Sequence, residues 1–137
     1  MKLSTRARYG LRICFLIGAA DGEIVSLTTL VKKTNLSQKY LEQILTMLKK
    51  GNILMSVRGT LGGYHLARNA DDITINQILT ALDDDFKITE CSTGVCTEVG
   101  CPNKIIFYRL YHEITKILEG TTLHDMIIDY YNEKEQL

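Results

Sequence analysis

Three of the four cysteines stand close together, as Cys91, Cys96 and Cys101 in a C-x4-C-x4-C run. Thiolates are soft donors, and three of them on eleven residues of chain can converge on a single metal centre. Ser92, Thr93, Gly94, Thr97 and Gly100 lie among them, and no helical or strand period runs through the segment. Cysteines that serve only to pack sit in periodic apolar segments, as Cys14 does. The spacing lacks the C-x2-C pairs usual in structural zinc sites and differs from a ferredoxin run. The residues alone leave two chemistries open, a metal or cluster centre and a set of redox thiols. A helix starting after Pro102 would set its positive end beside Cys101, a favourable neighbour for a ligated thiolate.

Charge is the second informative feature. The 137-residue chain has a formal net charge of zero, yet residues 1–70 hold 11 Lys and Arg against three acids. Residues 71–137 hold 5 Lys and Arg against 13 acids, so a half of net +8 adjoins one of net −8. Such asymmetry points to a polyanion partner for the first half. Apolar residues make up 45%, enough for a real core. The absence of Trp and the single proline, Pro102, suit a mainly helical protein with short connections. The apolar stretch over residues 11–20 is interrupted by Arg12 and is too short to span a bilayer. A cytoplasmic protein is therefore expected, whose thiols are reduced or ligated.

These groups need elements to hold them. Residues 3–20 read as a helix with Leu3, Ala7, Leu11, Cys14, Phe15 and Gly18 on one stripe. Ser26 caps a short helix over 27–33, and Thr34-Asn35-Leu36-Ser37 is a tight turn whose Ser37 caps the next helix, 38–50. Leu41, Ile44, Leu45 and Leu48 form its buried stripe. Two extended runs, 53–58 and 64–67, flank Gly59-Thr60-Leu61-Gly62-Gly63 and read as a hairpin with a flexible tip. Thr74-Ile75-Asn76-Gln77 is a capping box opening a helix that ends at the aspartates 83–85. After the cysteines a helix runs from about 103 to 119, with Ile106, Leu110, Ile114, Ile117 and Leu118 as its stripe. Thr122-Leu123-His124-Asp125 opens a last helix reaching about 131. The divisions are 1–82 for a winged helix-turn-helix domain, 83–102 for a cysteine-bearing sensor loop and 103–137 for a dimerisation helix and a C-terminal helix.

Helix, tight turn, helix and glycine-tipped hairpin is the winged helix-turn-helix order, in which the second helix enters the major groove. Its leading residues are Ser37, Gln38, Lys39, Tyr40, Glu42 and Gln43. Ser37 and Gln43 can bond base edges, Lys39 suits phosphate or guanine, Tyr40 can pack on the sugar–phosphate chain and Glu42 can accept from a cytosine amino group. Arg58, beside the glycines of the hairpin, can enter a narrow minor groove or touch phosphate. MKLSTRARYGLR, LSQKYLEQILTMLKKGNI and above all SVRGTLGGYHLAR resemble the bacterial winged-helix repressor family that includes IscR, NsrR and CymR. The resemblance runs almost end to end and implies a homodimer on an inverted-repeat operator of double-stranded DNA. By it, Ser37, Lys39, Tyr40, Glu42, Gln43, Arg58 and Gly59 match DNA-contacting positions, and residues 103–119 match the dimerisation helix.

The same resemblance implies that Cys91, Cys96 and Cys101 hold an iron–sulfur cluster, [2Fe-2S] or [4Fe-4S], because cluster-binding members carry three cysteines in this loop. The fourth ligand departs from the pattern. Lys104 stands where the IscR type has histidine, and Arg6 and Arg8 occupy the region where some NsrR-type members place an acid. Glu90, Glu98, His112 and His124 are the other candidates, and both histidines also read as helix-surface residues. The expected function is a DNA-binding transcription regulator switched by that cluster. Two alternatives stand beside it: a cluster-free regulator of sulfur metabolism acting through thiols or a partner protein, and a zinc-stabilised interaction module. An enzyme is not expected, since no Ser/His/Asp or Cys/His arrangement occurs and G-T-L-G-G lacks the lysine and helix of a P-loop.

Overall fold

The computed structural model describes residues 2–84, 86, 89, 92 and 97–136, so Glu90, Cys91 and Cys96 lie outside the described residues. The elements are α1 (Thr5–Gly18), α2 (Leu27–Thr34), α3 (Gln38–Lys50), β1 (Leu54–Val57), β2 (Gly63–Leu66), a 3-10 turn (Ala70–Asp72), α4 (Ile75–Ala81), α5 (Asn103–Gly120) and α6 (Leu123–Gln136). Hydroxyls start five of the helices, Thr122 at α6 among them, by accepting an otherwise orphan N–H. Ser4 Oγ accepts from Ala7 at 3.0 Å, Ser26 Oγ from Thr29 at 3.1 Å and Ser37 Oγ from Tyr40 at 3.2 Å. Thr74 Oγ1 accepts from the Gln77 N–H at 3.1 Å while Gln77 Oε1 accepts from the Thr74 N–H at 3.0 Å, the expected capping box. Asn35, in the left-handed region at φ 57°, ends α2 and turns the chain toward α3.

The core gathers around α1. Ala7, Ile13, Cys14 and Ile17 meet Leu30 of α2, Leu41, Ile44, Leu45 and Leu48 of α3, Leu54 of β1, and Ile78 and Leu79 of α4. The sequence stripe on this helix is only partly right. Ala7 and Cys14 are buried as expected, but Leu11 and Phe15 are half-buried, and Gly10, Ile13 and Ile17 are buried instead. The reason is that α1 packs against α2, α3, α4, β2 and α6, so no single stripe is its inside. Gly10 permits the α4 approach, because a Cβ there would run into the Leu82 side chain. Burial pushes the Cys14 thiol well above its usual range, the behaviour of an inert core residue.

Antiparallel pairing of β1 and β2 sets Leu54 opposite Leu66 and Val57 opposite Gly63. Val25 adds a third rung, with two reciprocal 2.9 Å hydrogen bonds to Tyr64. Leu123 is wholly buried in the core, and the α5–α6 link is tied to α4 by Ile75 N–H to Thr121 O at 2.9 Å and Leu123 N–H to Ile73 O at 2.8 Å. The last helix, opened by Thr122 and Asp125 as expected, extends further than expected, to Gln136, and packs on α1 and the 3-10 turn. Among the described residues no helix is long and apolar enough to cross a membrane.

The long helix α5 is different, because none of its 18 residues is buried. Phe107, Tyr111, Ile114 and Leu118, at steps of four, three and four, are half-buried. Ile106, Leu110 and Ile117 are instead exposed by 50%, 39% and 64%. The single stripe expected from sequence therefore divides in two, Ile114 and Leu118 lying half-buried while Ile106, Leu110 and Ile117 face outward.

The exit from α4, where the cysteine segment begins, is pinned to the start of α1. Ser4 N–H donates to Asp84 Oδ2 at 3.1 Å, and Arg6 Nε–H donates to Leu82 O at 2.9 Å. Burial by itself would raise the Asp84 carboxyl, but the Ser4 and Phe86 N–H donors and the Arg6 charge outweigh it and hold it below its usual value. A carboxylate whose pKa is lowered by folding stabilises the fold above its unfolded pKa of about 4 and loses that contribution as pH falls through the folded value. Asp84→Asn is accordingly expected to lower the urea midpoint modestly at neutral pH. The gap to the parent protein should close once the pH lies well below the folded value, where both side chains are neutral. An undiminished gap at that pH would show that the carboxylate charge is not the cause.

Candidate nucleic-acid interface

Leu41, Ile44, Leu45 and Leu48 turn one side of α3 into the core, which fixes the opposite side toward solvent. Ser37, Gln38, Lys39, Glu42 and Gln43 are exposed there. Two of the expected readers do structural work as well. Ser37 Oγ accepts the cap hydrogen bond, leaving its O–H to donate outward. Tyr40 is half-buried, with its ring 6.5 Å from Tyr9 of α1 in an edge-on contact, so only part of it is available to a ligand. Arg6 lines one open depression with Lys39, Tyr40, Glu42 and Gln43. Arg6 and Tyr9 were not among the residues read from sequence, where their only signal was the basic character of the first helix.

The wing adjoins this surface. Burial first, and then the negative charge of Glu42, raise the Tyr64 phenol above its ordinary value, so α3 and the base of β2 share one electrostatic neighbourhood. Arg58 follows β1 and is exposed. Gly59 has φ 113°, a backbone conformation that disfavours side chains, and a Cβ on Gly62 would collide with the Val57 carbonyl oxygen. The tip is not the flexible loop expected: Gly62 N–H closes on Gly59 O at 3.0 Å, a tight turn.

The positive half is smaller in effect than its formula. Arg6, Arg12 and Arg68 donate to the carbonyls of Leu82, Lys33 and Asp72, so three of the eleven cations hold the fold together. Lys39, Lys49, Lys50 and Arg58 stay exposed along α3 and the wing. No acid occurs between Gln43 and Ala70.

In the cysteine segment, Cys101 is half-buried and immediately precedes Pro102, the residue that leads into α5. Its carbonyl accepts from the Lys104 N–H at 3.3 Å. Ser92 is wholly buried and donates to the Thr89 carbonyl, while Thr89 Oγ1 is buried with no hydrogen-bond partner among the described residues. Glu98 is exposed. His112 lies against Tyr108, ring centroids 4.1 Å apart and planes tilted by 57°, and His124 lies 3.4 Å from Asp71 of the 3-10 turn. Among the described residues, no three His, Cys, Asp or Glu side chains are grouped to hold a metal.

The family described as Rrf2, an iron-dependent transcriptional regulator, matches residues 3–129. The chain belongs to the Rrf2 family. It is 32% identical over 99% of its length to the HTH-type transcriptional regulator CymR of Bacillus subtilis, and covers 95% of that protein. It is 29% identical to the HTH-type transcriptional regulator IscR of Aliivibrio salmonicida over its full length, covering 82% of that relative. The solved structure of CymR, described as the global cysteine regulator of B. subtilis, superposes with a TM-score of 0.81 over 93% of this chain and 96% of that one. Membership of Rrf2 makes this a mainly helical winged-helix transcription regulator and not an enzyme.

Within an Rrf2 chain the cysteine segment can be tested against an iron–sulfur cluster. The donor set fits in kind, since three thiols are the soft ligands such a cluster takes. Of the described residues in the segment, Ser92 and the Thr89 hydroxyl are buried polar groups. Of the other candidates among the described residues, Glu98 is exposed, His112 lies on an exposed face of α5 and His124 lies beside Asp71.

Proposed function

We propose that this Rrf2-family chain is a homodimeric regulator reading an inverted-repeat operator, its binding set by an iron–sulfur cluster on Cys91, Cys96 and Cys101. Ser37, Gln38, Lys39, Tyr40, Glu42 and Gln43 read the major groove, and Arg58 with Gly59 engages the backbone or minor groove. The observation that carries the DNA reading is the exposure of Ser37, Gln38, Lys39, Gln43 and the wing residue Arg58 on a stretch of chain with no acid from Gln43 to Ala70. A bound cluster supplies an iron centre responsive to oxygen, nitric oxide or cellular iron–sulfur status. The chain's own part is mechanical: the cysteine segment runs from the Asp84 anchor to the first turn of α5, so its conformation bears on both α1 and the α5 surface. For that to act as a switch, the ligated segment must favour one arrangement of the two reading heads over the other.

Selection from a random duplex pool, followed by binding at several salt concentrations, tests the DNA reading. Lys39→Ala should weaken all sequences alike and reduce the salt slope by about 1, while Gln43→Ala should relax one base preference at a loss of ~1–3 kcal/mol. A protein that enriches no sequence would overturn the reading. A second reading has its own support. Lys104, standing where the IscR type has histidine, and the likeness to a cysteine regulator favour a cluster-free member that responds through thiols or a partner protein.

A further inference from the structure

Leu61 is 92% exposed at the outermost point of the wing. Its turn is held: Gly62 N–H bonds Gly59 O at 3.0 Å, Gly59 takes a φ of 113°, and Gly62 is pressed against the Val57 carbonyl. A leucine on such a turn is presented outward with its backbone already ordered. It also ends an apolar run, since Met55 and Val57 of β1 are exposed by 51% and 38%. The surroundings are cationic, with Arg58 three residues away and no acid from Gln43 to Ala70. An apolar tip flanked by an arginine matches one kind of surface closely: the minor groove of duplex DNA, whose rim is phosphate and whose walls are sugar and base edges. Proteins that enter this groove insert apolar side chains at base steps and partly unstack them.

Resting on the DNA-binding reading above, we propose that Leu61 is an apolar wedge that enters the minor groove beside Arg58 and contributes sequence preference there. A wedge that loosens a step discriminates by deformability, so the preferred steps are flexible pyrimidine–purine ones. The division of labour on the wing follows: Arg58 supplies attraction and Leu61 supplies discrimination.

The test compares duplexes selected from a random pool by the parent protein, Leu61→Ala and Leu61→Met. The alanine variant should keep its melting temperature, dimer content and salt slope, bind the parent's selected duplex about tenfold more weakly, and lose preference at the wing-contacted step. 2-Aminopurine placed at that step should brighten with the parent protein and with Leu61→Met, and stay dim with Leu61→Ala. If the parent enriches a sequence but Leu61→Ala binds it with equal affinity, preference and fluorescence, the wedge is overturned while DNA binding stands. If the alanine variant instead loses dimer content, Leu61 is a protein contact and the wedge is again overturned. If the parent enriches nothing, the wedge fails together with the reading on which it rests.

Discussion

Ile106→Glu and Ile117→Glu are each expected to leave the protein folded but monomeric, and to weaken its grip on a two-half-site duplex by about a hundredfold or more. Both positions are largely exposed in the single chain, at 50% and 64%. A glutamate there meets water in the monomer, where surface changes shift stability by only about 0.5 kcal/mol either way. Within a dimer the same glutamate would be carried into an apolar contact and would need to shed its hydration. The case for such a contact comes from α5 itself. Eighteen residues are ordered with none of them buried, and an isolated helix of that length is only marginal in water. One side leans on α4, while Ile106, Leu110 and Ile117 stay 50%, 39% and 64% exposed. To read two adjacent half-sites, pairing of this face through a twofold axis must hold two α3 helices about 34 Å apart, one turn of DNA. Sedimentation velocity with circular dichroism checks the first half of the expectation, and titration of one-half-site and two-half-site duplexes checks the second. A variant that stays dimeric at full affinity would remove this face from the interface.

The second large effect is at the cysteines. Anaerobically reconstituted protein is expected to be coloured, with iron and acid-labile sulfide in stoichiometric amounts. Cys91→Ala, Cys96→Ala and Cys101→Ala should each abolish the visible absorbance, because one of only three thiols in the segment is lost. Duplex affinity should then change by about 5- to 150-fold relative to the reconstituted parent, the range of ordinary allosteric coupling. Cys14→Ala should retain both colour and response, since Cys14 is wholly buried in the core, apart from the loop. Colourless parent protein that nevertheless binds DNA would move the signal to thiol chemistry or a partner. Coloured protein whose three variants bind like the parent would separate the centre from regulation.

Much of the local structure was legible in the residues, for a definite reason. Ser26, Ser37 and the Thr74–Gln77 box announce helix starts because a cap is a hydrogen bond across three residues, complete within the segment that encodes it. The buried side of α3 was equally plain, since Leu41, Ile44, Leu45 and Leu48 give that helix one apolar side and one polar side. The glycines marked the wing, although the closed turn at its tip depends on how Gly62 packs against the Val57 carbonyl. What escaped are relations between segments far apart in the chain. That Arg6 and Tyr9 border α3 follows from α1 threading the middle of the fold. Periodicity could place apolar residues on α5 but could not say which stripe belongs to the chain's own core. Nor could charge counting tell that Arg12 and Arg68 are occupied with backbone carbonyls. Local hydrogen bonding and helical period are properties of a short segment, so the sequence by itself determined the elements and which side chains line α3. Which face meets which neighbour, and which cations remain available to a polyanion, was decided only when the whole chain closed around α1.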